Sequence, residues 1–198
     1  IMAKLQQIMQ PNICEIFFTD KLILVEGIED IAYIRSYLTL NNKWQEFRRN
    51  GCHLVPVTKK SEMARPLITA MEFKIPTFVM FDADGNEKRS IQRQKHIEDN
   101  NCLLRILGLT NEKPMPDQDI YGRNHVVWAE NLSLAVKRDL GVDLWCECSA
   151  AADAEFGHAG DMGKNALHIA ALMRAAHDRN AEITCLSKLE HALIEFGK

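Results

Sequence analysis

No apolar run in this chain of 198 residues is long enough to cross a bilayer. The longest, such as Leu22-Ile23-Leu24-Val25, fall far short of the ~20 residues a spanning helix needs. The first residues also lack the basic stretch and apolar core of a secretory signal, so neither membrane insertion nor export is expected. Basic charge is not in excess: 24 Lys+Arg stand against 27 Asp+Glu, a net charge of −3. That excludes a uniformly basic nucleic-acid coat but leaves room for a local basic patch. The six cysteines are scattered, with only Cys146-Glu147-Cys148 closely spaced and no second pair to match it. A disulfide framework is therefore not expected and structural zinc has little support. Reduced thiols in the cytoplasm are the expectation. The seven histidines match no zinc spacing, and no His-Glu-x-x-His occurs. There is no internal repeat and no long low-complexity tract. What remains is an ordinary globular balance, 46% hydrophobic and 26% charged, which excludes disordered and fibrous classes. The abrupt start at Ile1-Met2-Ala3 fits a piece of a longer protein.

The first half alternates strand-like and helix-like stretches. Leu22 to Val25 is a short apolar run ending at Glu26-Gly27, the pattern of a buried parallel strand. A helix follows with Ile31, Ile34 and Leu38 on one stripe. Leu54-Val55-Pro56-Val57 reads as a second strand, with Pro56 placing it at an edge or a strand end. Ser61 is read as the N-cap of a helix reaching Phe73, with Leu67, Ile68 and Met71 facing inward. Thr77 to Phe81 is the clearest strand, ended by Asp82-Ala83-Asp84-Gly85, and Val126 to Ala129 is a fourth, ending at Glu130. Residues 86 to 120 read as a polar helix or loop, an apolar turn and a Pro-rich connection. From Asn131 onward the pattern is helical over 131–140, 163–178 and 185–196, with a mobile loop expected from Ser149 to Gly163. This order predicts an α/β fold, a mostly parallel four-stranded sheet flanked by helices with an added helical subdomain. The expected division is a catalytic unit over 1–135, including an insertion at 86–120, and a C-terminal helical region over 136–198.

In an open parallel sheet, ligands bind beyond the carboxyl ends of the strands. Three of the four expected strands end on acids: Glu26, then Asp82 with Asp84, then Glu130. Asp30, four residues past Glu26, falls one turn into the next helix and shares that rim. Five carboxylates so close repel one another unless a cation neutralises them. Magnesium or manganese, hard ions that take a few carboxylates and leave positions for phosphate and water, suits such a set. Five acids suffice for two divalent ions, the arrangement that stabilises both the attacking and leaving oxygens of a phosphodiester displacement. Each motif alone also reads as an ordinary turn after a strand. Their order and their shared position at strand ends favour metal binding. Glu29 is expected to face solvent.

Leu24-Val25-Glu26-Gly27 followed by Phe81-Asp82-Ala83-Asp84 resembles the TOPRIM domain of primases, topoisomerases, RecR and several nucleases. Asp30, the Thr58-Lys59-Lys60-Ser61 turn, Trp128-Ala129-Glu130-Asn131 and the late Gly163-Lys164-Asn165-Ala166 make the chain most similar to OLD (overcoming lysogenization defect) nucleases, in their class 2. Thr58 departs from the pattern where glycine is expected, and Asn165 where many relatives have proline. The resemblance implies a Rossmann-like TOPRIM fold and the C-terminal nuclease region of an ATPase–nuclease protein. An N-terminal ABC-type ATPase domain would belong to the same polypeptide. It further implies a Mg²⁺- or Mn²⁺-dependent DNA endonuclease or nickase, with Glu26, Asp30, Asp82, Asp84 and Glu130 holding two ions. Lys164 would stabilise charge on the phosphate. Family members pair through several surfaces, so a homodimer is an expectation of the resemblance and not of the residues.

Between Lys43 and Arg65, six basic residues face only Glu46 and Glu62. This is the best footprint for a DNA backbone, and Arg48, Arg49, Lys60 and Arg65 are its candidate phosphate contacts. Lys88, Arg89, Arg93 and Lys95 form a second basic group. His168, one turn after Lys164, could approach the site but reads more readily as a packed helix histidine. The competing reading is a non-catalytic DNA-binding or assembly module of the RecR type, against which the retained acids count. A response-regulator-like or phosphatase-like sheet using Asp82 as nucleophile gives Glu26 no role.

Overall fold

The computed structural model describes residues 15–156 and 165–198. Five strands form one sheet in the order β2-β1-β3-β5-β4. They are β1 (Lys21–Val25), β2 (Cys52–Pro56), β3 (Thr77–Asp82), β4 (Ile120–Tyr121) and β5 (His125–Trp128). β1 pairs in parallel with β2 and β3, and β3 with β5. The four expected strands are present. The expected count of four is corrected by β4, a two-residue antiparallel edge strand facing β5 through Ile120–Val127 and Tyr121–Val126. Pro56 closes β2, which is the opposite edge of the sheet.

Seven helices are described: α1 (Ile28–Leu40), α2 (Trp44–Arg49), α3 (Ala64–Glu72), α4 (Ser90–Ile106), α5 (Leu132–Phe156), α6 (Ala166–Asp178) and α7 (Thr184–Gly197). None of the described helices is long and apolar enough to cross a membrane.

Period-two alternation divides the strands between two cores. Ile23, Val25, Phe78, Met80, Val126 and Trp128 face a cluster built with α1, α5, α6 and α7. Leu22, Leu24, Val55, Val79, Phe81 and Val127 face a second cluster with Met63, Leu67, Ala70, Leu103 and Leu104. Both faces of the sheet are thus covered, as a parallel sheet requires. Ile34 and Leu38 of α1 and Leu186, Leu189 and Leu193 of α7 are buried as their spacing predicts.

Three local expectations change. Ser61 does not cap a helix, because Lys60–Glu62 forms a separate 3-10 turn before α3 begins. The buried stripe there is Met63, Pro66, Leu67 and Ala70, so Ile68 and Met71 are half exposed. Ser149 to Phe156 is helix and not loop, because α5 continues past a kink at Gly141 (φ 74°) through an alanine-rich stretch of high helix propensity. Residue 135, the last of the expected catalytic unit, falls within α5. The rest of the expected loop, with Gly163, lies outside the described residues.

Candidate functional site

The parallel pairing sets the carboxyl ends of β1, β2 and β3 side by side, and a cavity of about 590 Å³ opens there. Glu26, Glu29, Asp30, Asp82 and Asp84 line it, with Tyr33, Thr58, Asn131 and Ser133. Four of the five acids expected to bind metal therefore meet. Glu130 does not: its side chain is exposed and does not line the cavity. Its backbone oxygen instead accepts from Asp84 N at 3.1 Å. Expecting its carboxylate on this rim rested on strand-end position alone, and the chain turns the side chain outward. Glu29, expected in solvent, lines the mouth.

Backbone geometry fixes the acids. Glu26 Oε1 accepts from Asp82 N at 2.7 Å, tying the end of β1 to that of β3. Asp30 Oδ2 accepts from Gly27 N at 3.0 Å, satisfying an otherwise free donor at the start of α1. Past β3, Ala83 N donates to Trp128 O at 2.7 Å and Gly85 N to Ala129 O at 2.9 Å. These bonds set Asp84 in the left-handed region, φ 56°, which aspartate tolerates. From below, the buried Asn100 Nδ2 donates to Ala83 O at 3.0 Å and Pro114 O at 2.7 Å. Arg93 Nη1 donates to Gly85 O at 2.7 Å, so this basic residue holds the turn. The Asn131 side chain caps the start of α5 by accepting from Leu134 N at 2.8 Å. The N-termini of α1 and α5 both open on the mouth, and their dipoles oppose part of its negative charge.

Crowding leaves its mark on the acids. Burial, with the charges of Asp30 and Asp84, pushes the Glu26 carboxyl up to about 7, against the pull of Lys60 and the Asp82 amide. Burial and Glu29 push Asp30 up to about 6. Asp82 is raised well above the ordinary carboxylate range by burial and then by Glu26, Asp30 and Asp84.

Lys60 is the buried partner of these acids. Its side chain is 5% exposed. Its ammonium donates to Asp82 O and to Asp84 Oδ2, the latter at 2.5 Å. So placed, it lies beside the acids, where a phosphate contact near the metals was expected, but buried and engaged as an internal counter-charge. His96 Nδ1 lies 3.0 Å from the same Asp84 oxygen, and Tyr33 donates to Ser133 Oγ at 3.2 Å. No motif marked His96, Asn100 or Ser133. Only the register of β3 against α4 and α5 brings them in.

Of the other candidates, Arg65 stands exposed in the first turn of α3, on the mouth side of β2. Arg48 and Arg49 precede β2, at the amino ends of the strands. The five-residue strand puts them about 17 Å from the mouth along its axis. His168 is buried, with Nε2 2.9 Å from Asp153, a packed helix histidine. Lys164 lies outside the described residues. Asn165, its neighbour, caps α6 by accepting from Leu167 N at 2.8 Å.

The donors are all oxygen and their charge exceeds what one ammonium offsets, so the set suits a hard divalent cation in its chemistry. Among the described residues, no three His, Cys, Asp or Glu side chains are placed to ligate one ion together as they stand. Five cysteines, Cys52, Cys102, Cys146, Cys148 and Cys185, are free thiols. Cys146 is exposed and Cys148 buried.

An open α/β sheet with paired acids beyond the ends of its first and third strands is the TOPRIM arrangement. Residues 17–84 match the family model described as the overcoming lysogenization defect protein-like TOPRIM domain. The fold continues beyond it. The C-terminal region of the Xanthomonas campestris pv. campestris OLD protein is 13% identical, with a TM-score of 0.55 over 92% of this chain and 94% of that one. The C-terminal region of the Burkholderia pseudomallei OLD protein is 14% identical, with a TM-score of 0.54 over 91% of this chain and all of the other. No curated protein matches the chain.

Proposed function

We propose that this chain is the nuclease part of an OLD-type protein, a DNA endonuclease or nickase that hydrolyses phosphodiesters with the aid of two divalent ions, Mg²⁺ or Mn²⁺. The observation that carries the reading is the meeting of Glu26, Asp30, Asp82 and Asp84 at one mouth, with carboxyl groups raised by their own crowding. Structural acids are arranged with counter-charges that lower their pKa values, whereas acids held together at such a cost mark a functional site. TOPRIM domains in general bind divalent metal ions, which agrees with this donor set.

In this reading Glu26 and Asp82 are the central ligands, with Asp30 and Asp84 on either side. Divalent ions bound there supply charge to offset the phosphate and to acidify the attacking water. The N-termini of α1 and α5 add fixed positive potential beside the scissile phosphate. Ser133, hydrogen-bonded to Tyr33, offers a hydroxyl at the rim. Lys164 stabilises charge on the phosphate. In support, Ala166 and Leu167 line a shared groove with Ile28 and Ile31, which brings the start of α6 beside the start of α1 and the mouth. Arg65 and the exposed Lys59 guide the DNA backbone. A catalytic unit over residues 1–135, a helical region over 136–198, an ATPase domain in the same polypeptide, a homodimer and a cytoplasmic setting belong to the same proposal.

The test is cleavage of supercoiled plasmid with Mg²⁺, Mn²⁺, Ca²⁺ or EDTA. Nicked or linear product should form with Mg²⁺ or Mn²⁺, vanish in EDTA and fall about a hundredfold or more in Asp82→Asn. Metal-independent cleavage, or an unchanged Asp82→Asn, overturns the proposal.

A further inference from the structure

Among the described residues, the ammonium of Lys60 is a buried cation bound to an acid of the mouth. Its hydrogen bonds fall on one side, to Asp84 and the Asp82 carbonyl, while its charge also reaches Glu26 and Asp82. Glu26 and Asp30 instead rest on the backbone N–H groups of Asp82 and Gly27. Those two bonds use one oxygen of each carboxylate, leaving its partner oxygen for a cation. The Asp84 side differs. Its Oδ2 has Lys60 at 2.5 Å and His96 Nδ1 at 3.0 Å. The lysine does not arrive there by chance of rotamer. The 3-10 turn Lys60–Glu62 begins two residues after Thr58, which lines the mouth with a φ of 79°, and Lys60 is its buried residue. Lys59, one residue earlier, is exposed.

Resting on the metal-centre reading above, we propose that Lys60 is the resident cation of the Asp84 side and ranks the two ion positions. The first divalent ion binds among Glu26, Asp30 and Asp82, and the second, at Asp84, binds against the lysine. Displaced, the ammonium loses two hydrogen bonds in a site that shields it from water. Retained, it is a like charge within a few ångströms of the incoming ion. Either way the second ion is weaker than the first. A site so built holds one ion at rest and completes its pair only when the substrate phosphate brings further negative charge.

The test is Mn²⁺ binding to the full chain, by calorimetry and by the electron paramagnetic resonance of free Mn²⁺, without nucleic acid and without turnover. The wild type should show one tight and one weak ion. Lys60→Met keeps the length of the side chain and removes its charge. It should tighten the weak ion by about tenfold or more, and the tight ion, which feels the charge without the hydrogen bonds, by distinctly less. Asp84→Asn covers the case in which Lys60→Met fails to fold: it should abolish the weak ion and spare the tight one. Two wild-type ions of equal affinity, a weak ion unmoved in Lys60→Met, or a tight ion lost in Asp84→Asn overturns the inference while leaving a metal centre in place. No Mn²⁺ binding to the wild type overturns the metal centre itself.

Discussion

Glu26 shows what a single residue carries here. It ends a wholly buried strand, accepts the Asp82 amide and holds a proton to about pH 7, against 4.5 for an ordinary glutamate. A carboxyl raised in the folded state binds its proton more tightly than in the unfolded chain. Its contribution to stability is therefore full below about pH 4.5 and lost as pH rises through about 7. Asp30, raised to about 6, acts in the same direction over an overlapping range. In EDTA, the melting temperature should fall as pH goes from about 4.5 to 7. Millimolar Mg²⁺ should restore it most at the upper end. A melting temperature that rises across this window would contradict the crowded-acid description. These acids were legible because strand ends are legible. Glu130 and Lys60 show the limit: position along the chain tells which residue ends an element, but only the turn geometry tells where its side chain points.

The elements around the mouth store some of its cost in the backbone. Thr58 is β-branched and lies at φ 79°, where glycine is the natural occupant. The resemblance had flagged this position as the departure from glycine, so the sequence held the clue and the structure supplies its reason. Thr58→Gly should relieve the strain and stabilise the fold by about 1 kcal/mol, measured by urea denaturation. Gly85 is the opposite case. A Cβ there would stand 2.6 Å from the backbone oxygen of Ala129. Gly85→Ala should force the Asp84 loop off β5, costing about 1–3 kcal/mol and weakening Mn²⁺ binding. Strands are the most legible elements, since short continuous apolar runs and acidic ends coincide in β1 and β3. In α3 the apolar Ile68 and Met71 suggest an inward face, yet they lie off the buried row of Met63, Pro66, Leu67 and Ala70. The second half of α5 is hard to read because its alanines, excellent helix formers, lie among Gly and Asp residues typical of loops.

At the scale of the whole molecule, the parallel sheet gives the protein two ends of different character. The carboxyl ends of the strands hold the acids, and Arg65 and Lys59 flank them. Arg48 and Arg49 sit at the other end, where Arg48 contacts His53 at 3.2 Å. Under the proposed function, DNA bound for cleavage crosses the first end. Lys59→Ala with Arg65→Ala should weaken DNA binding and flatten its salt dependence by about one to two charges. Arg48→Ala with Arg49→Ala should leave cleavage within about threefold, a split that equal losses in both variants would refute. The α/β class and the acid mouth were readable from strand order alone. Side-chain partners that depend on contacts between distant segments, such as Asn100 under Ala83 or Tyr33 on Ser133, were not. The central claim is that this mouth is a divalent metal centre, and the most direct measurement is anomalous diffraction from crystals soaked in Mn²⁺. The account predicts a Mn²⁺ peak among Glu26, Asp30 and Asp82. Saturating Mn²⁺ with no peak at these carboxylates would contradict it.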